Sequence, residues 1–119
     1  MNFRIDRLNG DMQRAIAEII EHKIKDPRKT EIVSVTKVSV AKDLKTAKIY
    51  LSIYGEQEKA DATFSAVVRS AGYIKCELAK EFRDIRQIPD LTFIRDTTME
   101  YSRKIDEILK EIKENEHAD

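Results

Sequence analysis

The chain reads as an α+β domain with the element order α-β-β-α-α-β-α, and three observations predict it. Residues 46 to 54 alternate apolar and polar with a period of two, as a half-buried strand does, while the segments on either side recur with the helical period. Two helical patterns meet at Ser70-Ala71-Gly72 with no loop between them. At 119 residues the length suits one domain, large enough to bury roughly two-thirds of its unfolded surface without staples. Residues 1–114 are expected to form it, with 115–119 fraying as an acidic tail that has nothing to bury.

The first helix is expected from about residue 5 to 25. Leu8, Met12, Ile16, Ile19 and Ile20 fall on one side, and Arg4, Arg7, Asp11, Arg14, Glu18 and Lys25 on the other. Gly10 costs about 1 kcal/mol relative to Ala and favours a later start. Pro27 disfavours a helical Asp26, so Asp26-Pro27-Arg28-Lys29 reads as the exit turn. A strand follows over Ile32 to Val40. Its apolar phase changes between Val33/Val35 and Val38/Val40, which predicts a bulge or a strand covered on both faces. After the loop Ala41 to Lys45, the strand Thr46 to Tyr54 turns Ala47, Ile49, Leu51 and Ile53 one way and Lys48, Tyr50 and Tyr54 the other. Gly55 closes the hairpin.

The helix pair begins near Glu58. Ala60, Phe64, Val67 and Val68 mark the apolar side of its first member, and Ile74, Leu78, Phe82 and Ile85 that of its second. Only small residues separate the two, and the freedom of Gly72 would allow a sharp turn and a close approach; Gly72→Val is then expected to destabilise the fold. A third strand, Leu91 to Arg95, follows Pro89. Thr97 and Glu100 form a capping box for a last helix bearing Tyr101, Ile105, Ile108 and Ile112.

The formal net charge is zero, yet residues 1–89 carry 17 Lys and Arg against 13 Asp and Glu, and residues 90–119 carry 5 against 9. Such a split suits a basic face on the body with an acidic terminal helix turned away from it. Chemistry is sparse. Cys76 is the only cysteine, so no disulfide or thiolate cluster can form, and a reducing cytoplasm suits the composition. His22 and His117 lack partner sets for metal binding or base catalysis. Gly10, Gly55 and Gly72 are too far apart for a phosphate-cradling loop. No stretch is apolar enough for a membrane span or signal peptide, so an enzyme, a cofactor, a metal and a membrane partner are all unexpected.

The runs Asp26-Pro27-Arg28, Val33 to Leu44, Ala47 to Ser52 and Pro89 to Asp96 resemble the ribosome-binding factor A family, in order and with its spacings over roughly residues 3 to 112. The resemblance implies a type II KH-like domain, with a three-stranded mixed sheet and helices packed on one face. KH domains clamp single strands with a Gly-x-x-Gly loop between two helices. The family resembles them with a kink, usually Ala-x-Gly, in place of that loop; here it is Ser70-Ala71-Gly72, whose serine hydroxyl could cap the following helix.

The resemblance also implies a monomeric, non-enzymatic protein of the cytoplasm. Its partners would be the free small (30S) ribosomal subunit and 16S rRNA near its 5′-terminal helix, with ribosomal proteins and maturation GTPases as further partners. It would assist late subunit maturation and 5′-end processing, above all in the cold. The residues expected to contact RNA are Arg4, Arg7 and Arg14 on the first helix, Lys42 and Lys45 in the hairpin loop, and Arg69, Ser70, Ala71, Gly72, Tyr73 and Lys75 at the kink. Tyr50, Tyr54 and Lys48 share a sheet face that could stack bases. The competing reading is a KH-like adaptor that binds proteins and not RNA.

Overall fold

The computed structural model describes residues 3–97 and 108–110. The described elements run in the order α1 (Phe3–His22), β1 (Ile32–Val40), β2 (Thr46–Tyr54), α2 (Gln57–Arg69), α3 (Ala71–Glu81) and β3 (Asp90–Arg95). The expected capping box at Thr97 and Glu100, most of the last helix and the 115–119 tail lie outside the described residues. Residues 108–110 are helical.

Helix α1 starts at Phe3, so Gly10 does not delay it, and it ends at His22, three residues before the expected end. The Ile20 carbonyl, which the amide of residue 24 would take in a continuing helix, instead accepts the Lys29 ammonium at 2.7 Å. The exit turn forms as expected, with the Lys29 amide donating to the Asp26 carbonyl at 3.0 Å and the Arg28 amide to the Asp26 carboxylate at 2.9 Å. Ile24 stays buried beyond the helix end.

The sheet order is β1-β2-β3, with β1 antiparallel and β3 parallel to β2. It is the mixed sheet expected of a KH-like domain. The phase change in β1 is a bulge: the register shifts between Val35, opposite Leu51, and Lys37, opposite Tyr50, leaving Thr36 without a partner. That extra residue returns Val38 and Val40 to the core side with Val35, opposite Ile49 and Ala47. Met12, Ile16, Ile19 and Ile20 of α1 complete this core with Val67, Ile74 and Leu78 of the helix pair. Each such side chain, fully withdrawn from water, contributes about 1.5–3 kcal/mol.

Two polar contacts set α1 along β1. The Asn9 side-chain oxygen accepts the Val40 amide at 2.9 Å, and the Gln13 side chain donates to the Val35 carbonyl at 2.9 Å. The start of α1 therefore lies at the hairpin-loop end of the sheet. At the opposite end Gly55 has φ +137°, a conformation that L side chains rarely adopt.

Two expectations for the helix pair are corrected. Val68 is 43% exposed and does not join the core. Helix α3 ends at Glu81 and not near Ile85, because Phe82 leaves helical geometry at φ −105° and ψ 60°. Phe82 still packs against the core.

Candidate nucleic-acid interface

At the kink, Ser70 alone separates α2 from α3, with φ −88° and ψ 6°. Its amide is shared between the carbonyls of Ala66 (3.2 Å) and Val67 (3.0 Å), and its own carbonyl accepts the Ile74 amide at 2.9 Å. Its hydroxyl turns back to the Ala66 carbonyl at 2.9 Å and makes no cap for α3, contrary to the expectation. Helix α3 thus begins without a side-chain cap, and the amides of its first turn have no acceptor within the helix.

Gly72 also departs from expectation. It has no positive φ, and a Cβ placed on it would meet nothing within 4 Å. Neither backbone strain nor close packing requires glycine there, so the expected destabilisation by Gly72→Val through strain or overpacking is withdrawn. The position is an opening on the surface. Arg69 on one side is exposed, its Nε 3.4 Å from the Ser65 carbonyl, and Tyr73 on the other is 45% exposed. Ala71 lies partly buried between them.

A second group of the expected residues gathers at the hairpin-loop end. Lys42 and Lys45 are exposed in the loop, and the Lys45 carbonyl accepts the Asp90 amide at 2.9 Å. The Asp90 carboxylate in turn pairs with the Lys75 ammonium at 2.6 Å. Loop, β3 start and α3 therefore share one corner. Arg4 and Arg7 are exposed on the opening turns of α1, at the same end as Asn9. Arg14 is exposed and paired with Asp11 on its own helix. Among the described residues no hydrogen bond or ion pair ties Arg69 or Arg14 to that corner.

Sequence reasoning missed two polar anchors. Glu77 is buried, and its carboxylate receives Lys23 at 3.0 Å from the end of α1 and Lys80 at 3.0 Å from its own helix. The hydrogen bond from Lys23, then that from Lys80, holds the Glu77 carboxyl below its usual 4.5; the same bond to Glu77 holds Lys23 above its usual 10.5. The signal was faint: Glu77 lies three residues after Ile74 on the apolar side of α3, and three before Lys80. Thr63 is the other, fully buried in α2 against the segment that leads into β1.

Among the described residues, no group of three or more His, Cys, Asp and Glu could hold a metal ion, and no helix is long and apolar enough to cross a membrane. The arrangement offers cations, an exposed aromatic ring and helix-start amides, which can hold phosphates and bases without reacting with them.

The sequence profile of the ribosome-binding factor A family matches residues 4–109. The chain belongs to that family. A ribosome-binding factor A from Clostridium kluyveri is 43% identical over 118 residues, covering 99% of this chain and 97% of its own length. One from Caldanaerobacter subterraneus is 40% identical over 119 residues, covering 100% of this chain and 97% of its own. The fold is likewise similar to the crystal structure of ribosome-binding factor A from Thermus thermophilus (TM-score 0.66, 27% identity, 76% of this chain and 93% of that one). A Thermus thermophilus homology model fitted into a cryo-electron-microscopy map of a complex of the 30S subunit with ribosome-binding factor A is similar too (TM-score 0.62, 29% identity, 76% of this chain and 92% of that one).

Proposed function

We infer that this chain is a non-catalytic factor that binds the free small ribosomal subunit through 16S rRNA. There it assists late maturation and 5′-end processing, most of all in the cold. The observation that carries the reading is membership of a family in which a homologue has been fitted into a map of its complex with the 30S subunit. Cooling stabilises wrong as well as right RNA pairings, and a protein that binds one arrangement better shifts the population toward it with no bond made or broken.

The contacts we assign are phosphates at Arg4, Arg7, Lys42, Lys45, Arg69 and Lys75, with the bare start of α3 facing the RNA at Gly72. Arg14 and Tyr73 extend this face. Lys75 can exchange the exposed Asp90 for a phosphate, since exposed ion pairs hold by only about 0.2–1 kcal/mol. Sedimentation of cell extract on a sucrose gradient tests the reading: the protein should travel with free small subunits and leave them as salt rises. Removing Arg69 and Lys75 together should reduce the salt slope on single-stranded RNA by about 1.4. Absence from all ribosomal fractions, or a slope unchanged in the double variant, defeats the reading or its assignment of the face, respectively.

A further inference from the structure

The tip of the β1–β2 hairpin holds a leucine where the backbone favours glycine. Among the described residues Leu44 alone of the non-glycine ones has a positive φ, at 61°. This is the left-handed region that glycine, asparagine and aspartate enter readily and a leucine only at a cost in stability. Three hydrogen bonds fix the tip in that form. The Leu44 amide donates to the Ala41 carbonyl at 2.9 Å, the Lys45 amide to the Asp43 carboxylate at 3.0 Å, and the Ala41 amide to the Thr46 carbonyl at 2.9 Å. The Lys45 carbonyl, on the Asp90 amide, ties the tip to β3 as well. Core packing does not account for the leucine: it is 39% exposed and has no place in the buried cluster.

The surroundings of this side chain are charged. Lys42 and Lys45 are exposed in the same loop, and Arg4 and Arg7 are exposed on the opening turns of α1, which Asn9 ties to this end of the sheet through the Val40 amide. Against these cations stand the exposed Asp6 and Asp43, the latter holding the Lys45 amide, while Asp90 is paired with Lys75. An apolar side chain on a cationic tip has the form of the wedges that proteins insert between stacked bases, with cations on the phosphates alongside. The fixed backbone limits what must be ordered on binding. Strain kept at an exposed position points to a use outside the fold itself.

We propose that Leu44 is an apolar wedge that enters an RNA base step at a bulged, unpaired position, while Lys42 and Lys45 hold the flanking phosphates. A bulge is the cheapest point of entry, because stacking is already interrupted there. The cations around the tip favour RNA over an apolar protein surface, which would desolvate them without supplying partners. The hairpin tip thereby reads a break in a duplex by its shape, whereas the kink holds phosphates of any sequence. This proposal rests on the reading that the chain binds RNA.

The test measures stability and binding on the same full-length variants. Leu44→Gly and Leu44→Ala remove the same side chain, but only glycine suits the backbone, so the glycine variant should unfold at a urea midpoint about 0.5 M above the alanine variant. Binding is followed by anisotropy on a short RNA hairpin with one bulged uridine beside a 2-aminopurine, and on the same hairpin fully paired. The parent should hold the bulged hairpin about tenfold more tightly and raise the 2-aminopurine fluorescence as that base leaves its stack. Both variants should lose the preference and the fluorescence change, although the glycine variant is the better folded, and Leu44→Met should recover most of each. A benzophenone carried at Leu44→Cys in a Cys76→Ser background should attach to rRNA in free subunits. Equal binding of the two hairpins by the parent, a preference that survives Leu44→Gly, or attachment to a ribosomal protein overturns the proposal. An alanine variant as stable as the glycine variant removes its premise and overturns it too. Co-sedimentation separately decides the reading on which it rests: if parent and Leu44→Gly travel equally well with free subunits, only the wedge is lost, and if the parent is absent from them, the reading itself fails.

Discussion

Thr63 offers a test of how α2 is fixed to the rest of the domain. Its hydroxyl oxygen accepts the amides of Glu31 at 3.2 Å and Thr30 at 3.3 Å, and lies 3.4 Å from the Arg28 carbonyl. The residue itself is fully buried. Thr63→Val keeps the shape and removes the acceptor from two backbone donors at once. A buried donor left unsatisfied costs about 1–3 kcal/mol. Both bonds are long and Thr30 is exposed, so water recovers part of the loss, and the expected cost is about 2 kcal/mol in all. Thr63→Ser keeps the hydroxyl and removes one buried methyl, about 1 kcal/mol. With a urea m value of about 1.5 kcal/mol/M, the valine variant should lose about 1.3 M in unfolding midpoint and the serine variant about half that. Hydrogen exchange at Thr30 and Glu31 should quicken in the valine variant alone. A valine variant as stable as the parent, or less affected than the serine variant, would show that the hydroxyl anchors nothing and that Thr63 serves only to fill space.

Gly72→Ala should leave the unfolding free energy unchanged or raise it by up to about 1 kcal/mol, since its Cβ finds open space in a helix, while weakening subunit binding if RNA approaches the start of α3. Unfolding and sedimentation measured on the same variant check both halves; a loss of stability would refute the open position. For Glu77 the folded-state carboxyl titrates below its unfolded value, so its contribution is present above about pH 4.5 and is lost as pH falls through the lower folded value. Lys23, raised above its usual value, keeps its contribution up to 10.5 and loses it as pH rises beyond. Glu77→Gln should therefore flatten the acid limb of the stability–pH curve measured by urea melts between pH 2 and 6, and an unchanged limb would mean that this carboxylate is not coupled to folding.

What could be read from the sequence followed the periodicity of each element. The alternation from Ala47 to Ile53 needed no knowledge of its neighbours, and β2 has the expected bounds. The phase break in β1 likewise announced the bulge at Thr36, because a period of two tolerates no unmarked insertion. Helix ends were less legible. Ile24 remains buried beyond the end of α1 and Phe82 packs on beyond α3, so the apolar pattern continues after the helical hydrogen bonds stop. At the end of α1 the Ile20 carbonyl is taken by Lys29, nine residues further along the chain. For the candidate interface, the sequence supplied the basic residues but not their grouping. That Lys45 and Lys75 meet at Asp90 follows from the parallel pairing of β3, and the link between Lys23 and Glu77 spans 54 positions that no local pattern connects. Cations were legible as types; which of them share a corner was set by topology.

Ser70 stands alone between the two helices, and its geometry bears on how an exchange for alanine there should be weighed. The hydroxyl lies against the Ala66 carbonyl of its own helix, a bond that needs no outside partner. What the residue shows to an approaching molecule is chiefly its Cβ, as alanine would. Exchange between serine and alanine at this junction is therefore a change in the interior wiring of α2, silent toward whatever docks on the kink. Divergence in recognition should be sought at Arg69, Tyr73 and Lys75, whose side chains reach outward.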